Sequence, residues 1–191
     1  MHTDKKIMGQ VSSYVEEQLC NQLPEGHIFH NVNHTRLVVK AVEEICDFLT
    51  ISEPEREVVI LAAWFHDCDH VNACTGHEEE SKLFAKSFLK AAKYPDAKIT
   101  KVLQCIDATK LPQHPTDILG QILCDADLYH LAANNYFDLL SKLREEWVQI
   151  RNEKHSDKDW FQLNLNFLRA HQYFTDFGKV VLEEKKQSVI K

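Results

Sequence analysis

The stretch Val58-Val59-Ile60-Leu61-Ala62-Ala63-Trp64-Phe65-His66-Asp67 is apolar as far as Phe65 and then ends on an imidazole beside a carboxylate. Ser52-Glu53-Pro54-Glu55 precedes it and has helix-start chemistry, with Ser52 as N-cap and Pro54 in the first turn. The pattern predicts a helix over about 55–68, buried on most of its sides. A histidine and an aspartate at the end of a buried helix cost free energy unless something pairs with them. A divalent cation would pair with both. Adjacent side chains on a regular helix point about 100° apart, so other helices must help His66 and Asp67 converge on one ion.

The flanking sequence supplies such helices. Residues 5–23 read as an amphipathic helix through Val11, Tyr14, Val15 and Leu19, closed by Pro24-Glu25-Gly26. Residues 32–49 carry Val38, Ala41, Ile45 and Phe48 at spacings of three and four, a core-facing stripe. His34 lies four residues before Val38 on the same stripe. Gly76-His77-Glu78-Glu79-Glu80-Ser81 opens a further helix to about Ala92, its acidic first turn matching the helix dipole. Helices follow over 97–109, from Thr116 or Asp117 through Leu128, and over about 136–154, 157–173 and 175–188. Trp147, Trp160, Phe161, Phe167 and Phe174 are spaced as core residues. Glu183-Glu184-Lys185-Lys186 reads as a solvated face. No useful β-alternation appears, and five Gly and five Pro are few for an all-β chain. The expectation is an all-α single domain over 1–191, with the metal between helices.

Composition bounds the function. The net charge of −7 argues against a nucleic-acid or anionic-membrane surface. No apolar run approaches the ~18 residues of a membrane span, and Met1-His2-Thr3-Asp4-Lys5-Lys6 leads into no apolar signal segment. The six cysteines form no C-x-x-C pair and read as buried thiols of a cytoplasmic protein. Cys68 and Cys74 lie near the motif, but thiolate sites usually come as close pairs. A small phosphorylated substrate is compatible with the negative total, because a bound cation adds local positive charge. Whether copies associate into a homo-oligomer stays open.

A fourth ligand is expected from Cys124-Asp125-Ala126-Asp127-Leu128. The two aspartates lie about 200° apart on a helix. Asp127 shares a side with Leu119, Leu123 and Leu131 and should face inward. Asp125, with Gln121 and Tyr129, should face out.

His34, His66-Asp67 and Asp127 together resemble the H…HD…D pattern of the HD-domain metal-dependent phosphohydrolases. The resemblance covers roughly residues 27–132, with the helices of 134–190 packing on that core. Phe29-His30-Asn31-Val32-Asn33-His34-Thr35 resembles the [FY]-H-N-x-x-H-[TSA] segment of several branches, His77-Glu78 with Ser81 an H-E-x-x-S element, and Asp125-Ala126-Asp127-Leu128 the D-A-D-L segment. It implies an all-α bundle in which His34, His66, Asp67 and Asp127 hold a divalent cation (Mn, Fe, Zn, Ni, Co or Mg; the donor set does not choose). It also implies hydrolysis of a phosphoester, often of a nucleotide. Asp67 would orient or deprotonate the attacking water, and His30 or His77 would protonate the leaving group. The role of His30 follows the cyclic-nucleotide phosphodiesterase branch, and its alternative is a helix-start cap. Thr109 stands where branches with two metals carry a further histidine, which favours one ion and counts against a di-iron oxygenase. Thr109, Lys110 and Glu78 are candidate substrate contacts. Arg144 and His171 are further residues that could reach the site. A module that keeps the metal only for structure or ligand sensing is the alternative to an enzyme.

Overall fold

Residues 2–21, 23–68 and 77–191 are described in the computed structural model, without the side chains of 2–5, 77 and 78. The described chain is helical: α1 (His2–Asn21), α2 (Val32–Leu49), α3 (Glu53–Phe65), α4 (His77–Ala91), α5 (Asp96–Ala108), α6 (Ile118–Asp127), a 3-10 turn (Leu128–Ala132), α7 (Tyr136–Ile150), α8 (Asp157–Ala170), a π-helical turn (Gly178–Leu182) and α9 (Glu183–Ile190). No strand occurs among the described residues.

Helix α3 is the axis of the bundle. Its residues from Glu57 to Phe65 are all buried, and α1, α2, α4, α5 and α6 pack around it. Val11, Val15 and Leu19 of α1, Val38, Val42 and Ile45 of α2, and Ile99, Val102 and Ile106 of α5 close over it. Glu57 is the one buried charge in this run, and it is paired: Tyr94 donates to it, and Lys98 Nζ lies 2.7 Å away. Ser52 occupies the N-cap position but donates its hydroxyl to Glu55 Oε2 at 2.6 Å rather than capping with it. Asn31 does cap α2, accepting from the Asn33 amide at 2.9 Å.

Helices α7 and α8, with Val189 and Ile190 of α9, form a second, smaller core around Tyr136, Leu140, Trp160 and Leu168. Trp147 and Trp160 pack edge to face at 5.2 Å, as core residues. Several expectations change here. Phe48, Phe161 and Phe167 are exposed rather than in the core, because α2 and α8 each turn that side to solvent. Helix α7 stops at Ile150, where Asn152 takes a left-handed conformation (φ 54°).

The C-terminal acidic-basic run is not wholly solvated. Lys186 is buried, donating to the His171 carbonyl at 2.6 Å, 2.9 Å from Glu183 and over the Tyr173 ring. Asp125 is also buried rather than outward. It accepts from the Phe174 and Thr175 amides at 2.8 Å each and from the Thr175 hydroxyl at 2.6 Å. Helical phase placed Asp125 opposite Asp127 correctly, but the C-terminal segment covers that second side of α6.

Candidate metal centre

His34 sits in the first turn of α2, where Asn31 starts the helix and Phe29 packs against it at a ring distance of 5.2 Å. His66 follows the last residue of α3 and is 1% exposed. Its Nδ1–H donates to the Ala63 carbonyl at 2.8 Å, which leaves Nε2 as the lone-pair nitrogen. Asp67 lies in the turn after α3, and Asp127 is the last residue of α6. His66 keeps a helical backbone as the C-cap of α3, and Asp67 follows it in the turn. His66 Nε2 comes within 3.1 Å of Asp67 Oδ2.

The four side chains meet at one point. His34 Nε2 lies 3.3 Å from Asp67 Oδ2 and 3.4 Å from Asp127 Oδ1, and His66 Nε2 lies 3.6 Å from Asp127 Oδ1. One ligand atom each of His34, His66 and Asp127 falls within 4.8 Å of the others. Ligand atoms around a cation at about 2.1 Å are separated by about 3.0 Å at octahedral edges and about 3.4 Å at tetrahedral ones. The spacings of 3.1, 3.3 and 3.4 Å fall in that range, and the His66–Asp127 spacing of 3.6 Å lies just outside it. Moreover, the Nε2 atoms of His34 and His66 are buried with no hydrogen bond of good geometry among the described residues. Two bare imidazole nitrogens aimed at two carboxylates, one tautomer fixed from behind, fit a divalent cation.

Electrostatics agree. Burial disfavours protonated His34 and His66, yet Asp67 and Asp127 outweigh it and raise both above the ordinary imidazole value. Burial disfavours the Asp127 carboxylate, yet the two imidazoles hold its pKa well below the usual range. In charge as well as in geometry, the cluster is a candidate cation site.

Two residues beside the cluster escaped sequence reasoning. Glu146 of α7 is buried and accepts from the Phe29 and His30 amides at 2.8 and 2.9 Å, and its other oxygen pairs with His30 Nδ1. Burial would raise the Glu146 pKa, but the His30 ring and the two amides hold it at about 2. His30 thus does not cap α2; Asn31 does. The His30 ring stands 5.6 Å from that of His34. His130, in the 3-10 turn, places Nδ1 3.1 Å from the Asp127 carbonyl. Burial, with His34 nearby, lowers its pKa to about 4. Neither residue carries a local motif; each is 19 or fewer residues beyond Asp127 and reaches the site only through packing.

A cleft of about 400 Å³ meets the cluster at His34 and Asp127, between α2 and the segment from the 3-10 turn to α7. His130 lines it, whereas His30, His66 and Asp67 do not. Thr109 and Lys110 lie outside its lining as well. The Thr109 hydroxyl donates to the Ile106 carbonyl at 2.8 Å, and Lys110 is exposed. Arg144 bonds Asp157 and the His155 carbonyl, and His171 faces Lys186, so neither reaches the cluster. Cys68 donates to the Trp64 carbonyl. Cys74 and the side chains of His77 and Glu78 lie outside the described residues.

A family model for the HD domain matches residues 31–132, more than half of the chain and the whole span from the α2 cap past Asp127. The chain belongs to the HD domain family. A crystal structure of a Listeria innocua protein is similar in fold, with a TM-score of 0.66 and 17% identity over 98% of this chain and 93% of that one. A predicted HD superfamily hydrolase from an uncultured Thermotogales bacterium aligns with a TM-score of 0.58 and 18% identity, covering 84% of this chain and 88% of that one. No curated protein matches the chain. The first of these likenesses extends the shared fold beyond the HD-matched segment into α7–α9. In this HD domain Asp125 and Glu146 are two of the contacts that tie the HD-matched segment, with Phe29 and His30 just before it, to the C-terminal helices.

Proposed function

We propose that this HD domain hydrolyses a phosphoester bond of a small molecule, with one divalent cation held by His34, His66, Asp67 and Asp127. The observation that carries the reading is the convergence of two buried imidazole nitrogens and two carboxylates beside a cleft that His34 and Asp127 line. A cation bound there supplies Lewis-acid polarisation of the phosphoryl group and a water of lowered pKa. In this reading Asp67 would orient that water and take its proton on a carboxylate oxygen. Asp127, at the cleft wall, would help hold the cation. His130 stays neutral and braces the Asp127 backbone.

His30 is the proton donor to the leaving oxygen in this reading. Its Nδ1–H is committed to Glu146, so Nε2 is the atom that delivers the proton. The His30 ring and the two amides hold the Glu146 pKa at about 2, so a carboxylate faces His30 Nδ1. The buried carboxylate also fixes the ring's orientation through the two backbone amides, a division of labour seen wherever an acid-base histidine is backed by a carboxylate.

The test is metal analysis of protein purified without added metal, followed by assay of phosphomonoesters, nucleotides and cyclic nucleotides. One ion per chain and metal-dependent turnover are expected. His66→Ala and Asp67→Ala should lose both the ion and the turnover while keeping most of the helical circular dichroism. Full turnover by metal-free protein would refute the proposal.

A further inference from the structure

Lys40 of α2 and Lys142 of α7 line the same cleft from its two walls. Both are exposed, and among the described residues neither forms an ion pair. The chain as a whole carries a net charge of −7, so two cations facing one cleft run against the average. Lys40 lies six residues beyond His34, which is about 9 Å along the helix axis. The cleft's carboxylates are Asp127, already committed to the metal cluster, and Glu44, which accepts from the Tyr129 hydroxyl at 2.9 Å. The same lining holds the apolar side chains of Phe29, Leu37, Val38, Ala41 and Leu139 beside the amides of Asn31, Asn33 and Asn135.

We infer that Lys40 and Lys142 form a subsite for a second anionic group, so that the substrate is a phosphoester whose organic part ends in a phosphate or carboxylate. This rests on the proposed hydrolase reading for the scissile end only. The scissile phosphoryl group sits at the cluster, a short apolar spacer lies along the cleft walls, and the terminal anion meets the two ammonium groups. The lysines bind and select; they take no part in the chemistry. Their contribution is that of rim ion pairs, so the preference for a doubly anionic ligand should be about tenfold rather than absolute.

The test uses the full chain loaded with Mn²⁺ and two matched probes, pentane bisphosphonate and pentylphosphonate, titrated by calorimetry. Wild type should bind the bisphosphonate about tenfold more tightly. Lys40→Met with Lys142→Met keeps the apolar stems and should erase most of that difference, and moderate salt should erode it in wild type. Equal or undetectable binding of the two probes, or a preference that survives the double substitution, overturns the subsite. Replacing the terminal phosphonate by a carboxylate distinguishes the two kinds of anion. Separately, if pentane bisphosphate is bound with that preference and never hydrolysed, the hydrolase reading fails and the subsite stands.

Discussion

Replacing Glu146 by Gln probes the contact that ties α7 to the candidate proton donor. The side chain keeps its shape and can still accept from the Phe29 and His30 amides, but its charge beside the His30 ring is gone. Lowering a carboxyl from its ordinary 4.5 to about 2 corresponds to about 3 kcal/mol at about 1.4 kcal/mol per pH unit. The group is buried, so solvent screens little of this. Glu146→Gln should therefore cost about 2 to 3 kcal/mol in urea denaturation at pH 7. The pH dependence supplies the sharper check. Folding depresses this pKa, so the stabilisation is complete above about pH 4.5 and is lost as pH falls toward 2. The gap between wild type and variant should be about 1 kcal/mol smaller at pH 3.5 than at pH 5. Other carboxylates titrate in both proteins and cancel in the difference. In turnover, kcat should fall far more than KM rises, and Glu146→Asp should recover part of kcat. A stability gap independent of pH, or none at pH 7, would refute the charged pairing of Glu146 with His30.

Other perturbations address the joint between the HD-matched part and the C-terminal helices. Asp125→Ala strips the acceptor from the Phe174 and Thr175 amides and the Thr175 hydroxyl, and should cost about 3 kcal/mol in chemical denaturation. A loss under about 0.5 kcal/mol would show that the clamp contributes nothing. Gly178→Ala would place a Cβ 2.3 Å from Asp125 Oδ2 and 2.6 Å from Tyr173 Cβ, so about 1 to 3 kcal/mol should be lost, read as a lower Tm. An unchanged Tm would mean that the π-helical turn accommodates the methyl group by shifting.

Much was legible along the chain because it depends on local periodicity. The apolar run from Val58 to Phe65 announces a central buried helix, and its polar end marks His66-Asp67. The stripes of α2 and α6 place His34 and Asp127 inward, since helical phase is set by spacing alone. Convergence of all four at spacings of 3.1–3.6 Å depends on where α3 ends and how three helices cross. That is a matter of packing.

Pairings over long sequence separations were beyond a local reading. Glu146 looks like any acidic residue on an amphipathic helix until α7 folds back across Phe29 and His30. Asp125 and Lys186 look solvated on their own helices until the C-terminal segment buries one and Tyr173 and His171 enclose the other. Phe48, Phe161 and Phe167 fail in the opposite direction, because an apolar residue stays exposed where no neighbouring element arrives to cover it. By itself, then, the sequence determined the helices and most of their inward faces, and it named His34, His66, Asp67 and Asp127 as candidate ligands. Only the tertiary structure decided which charges are buried and what each one touches, because burial is a property of two surfaces and each helix specifies only one of them.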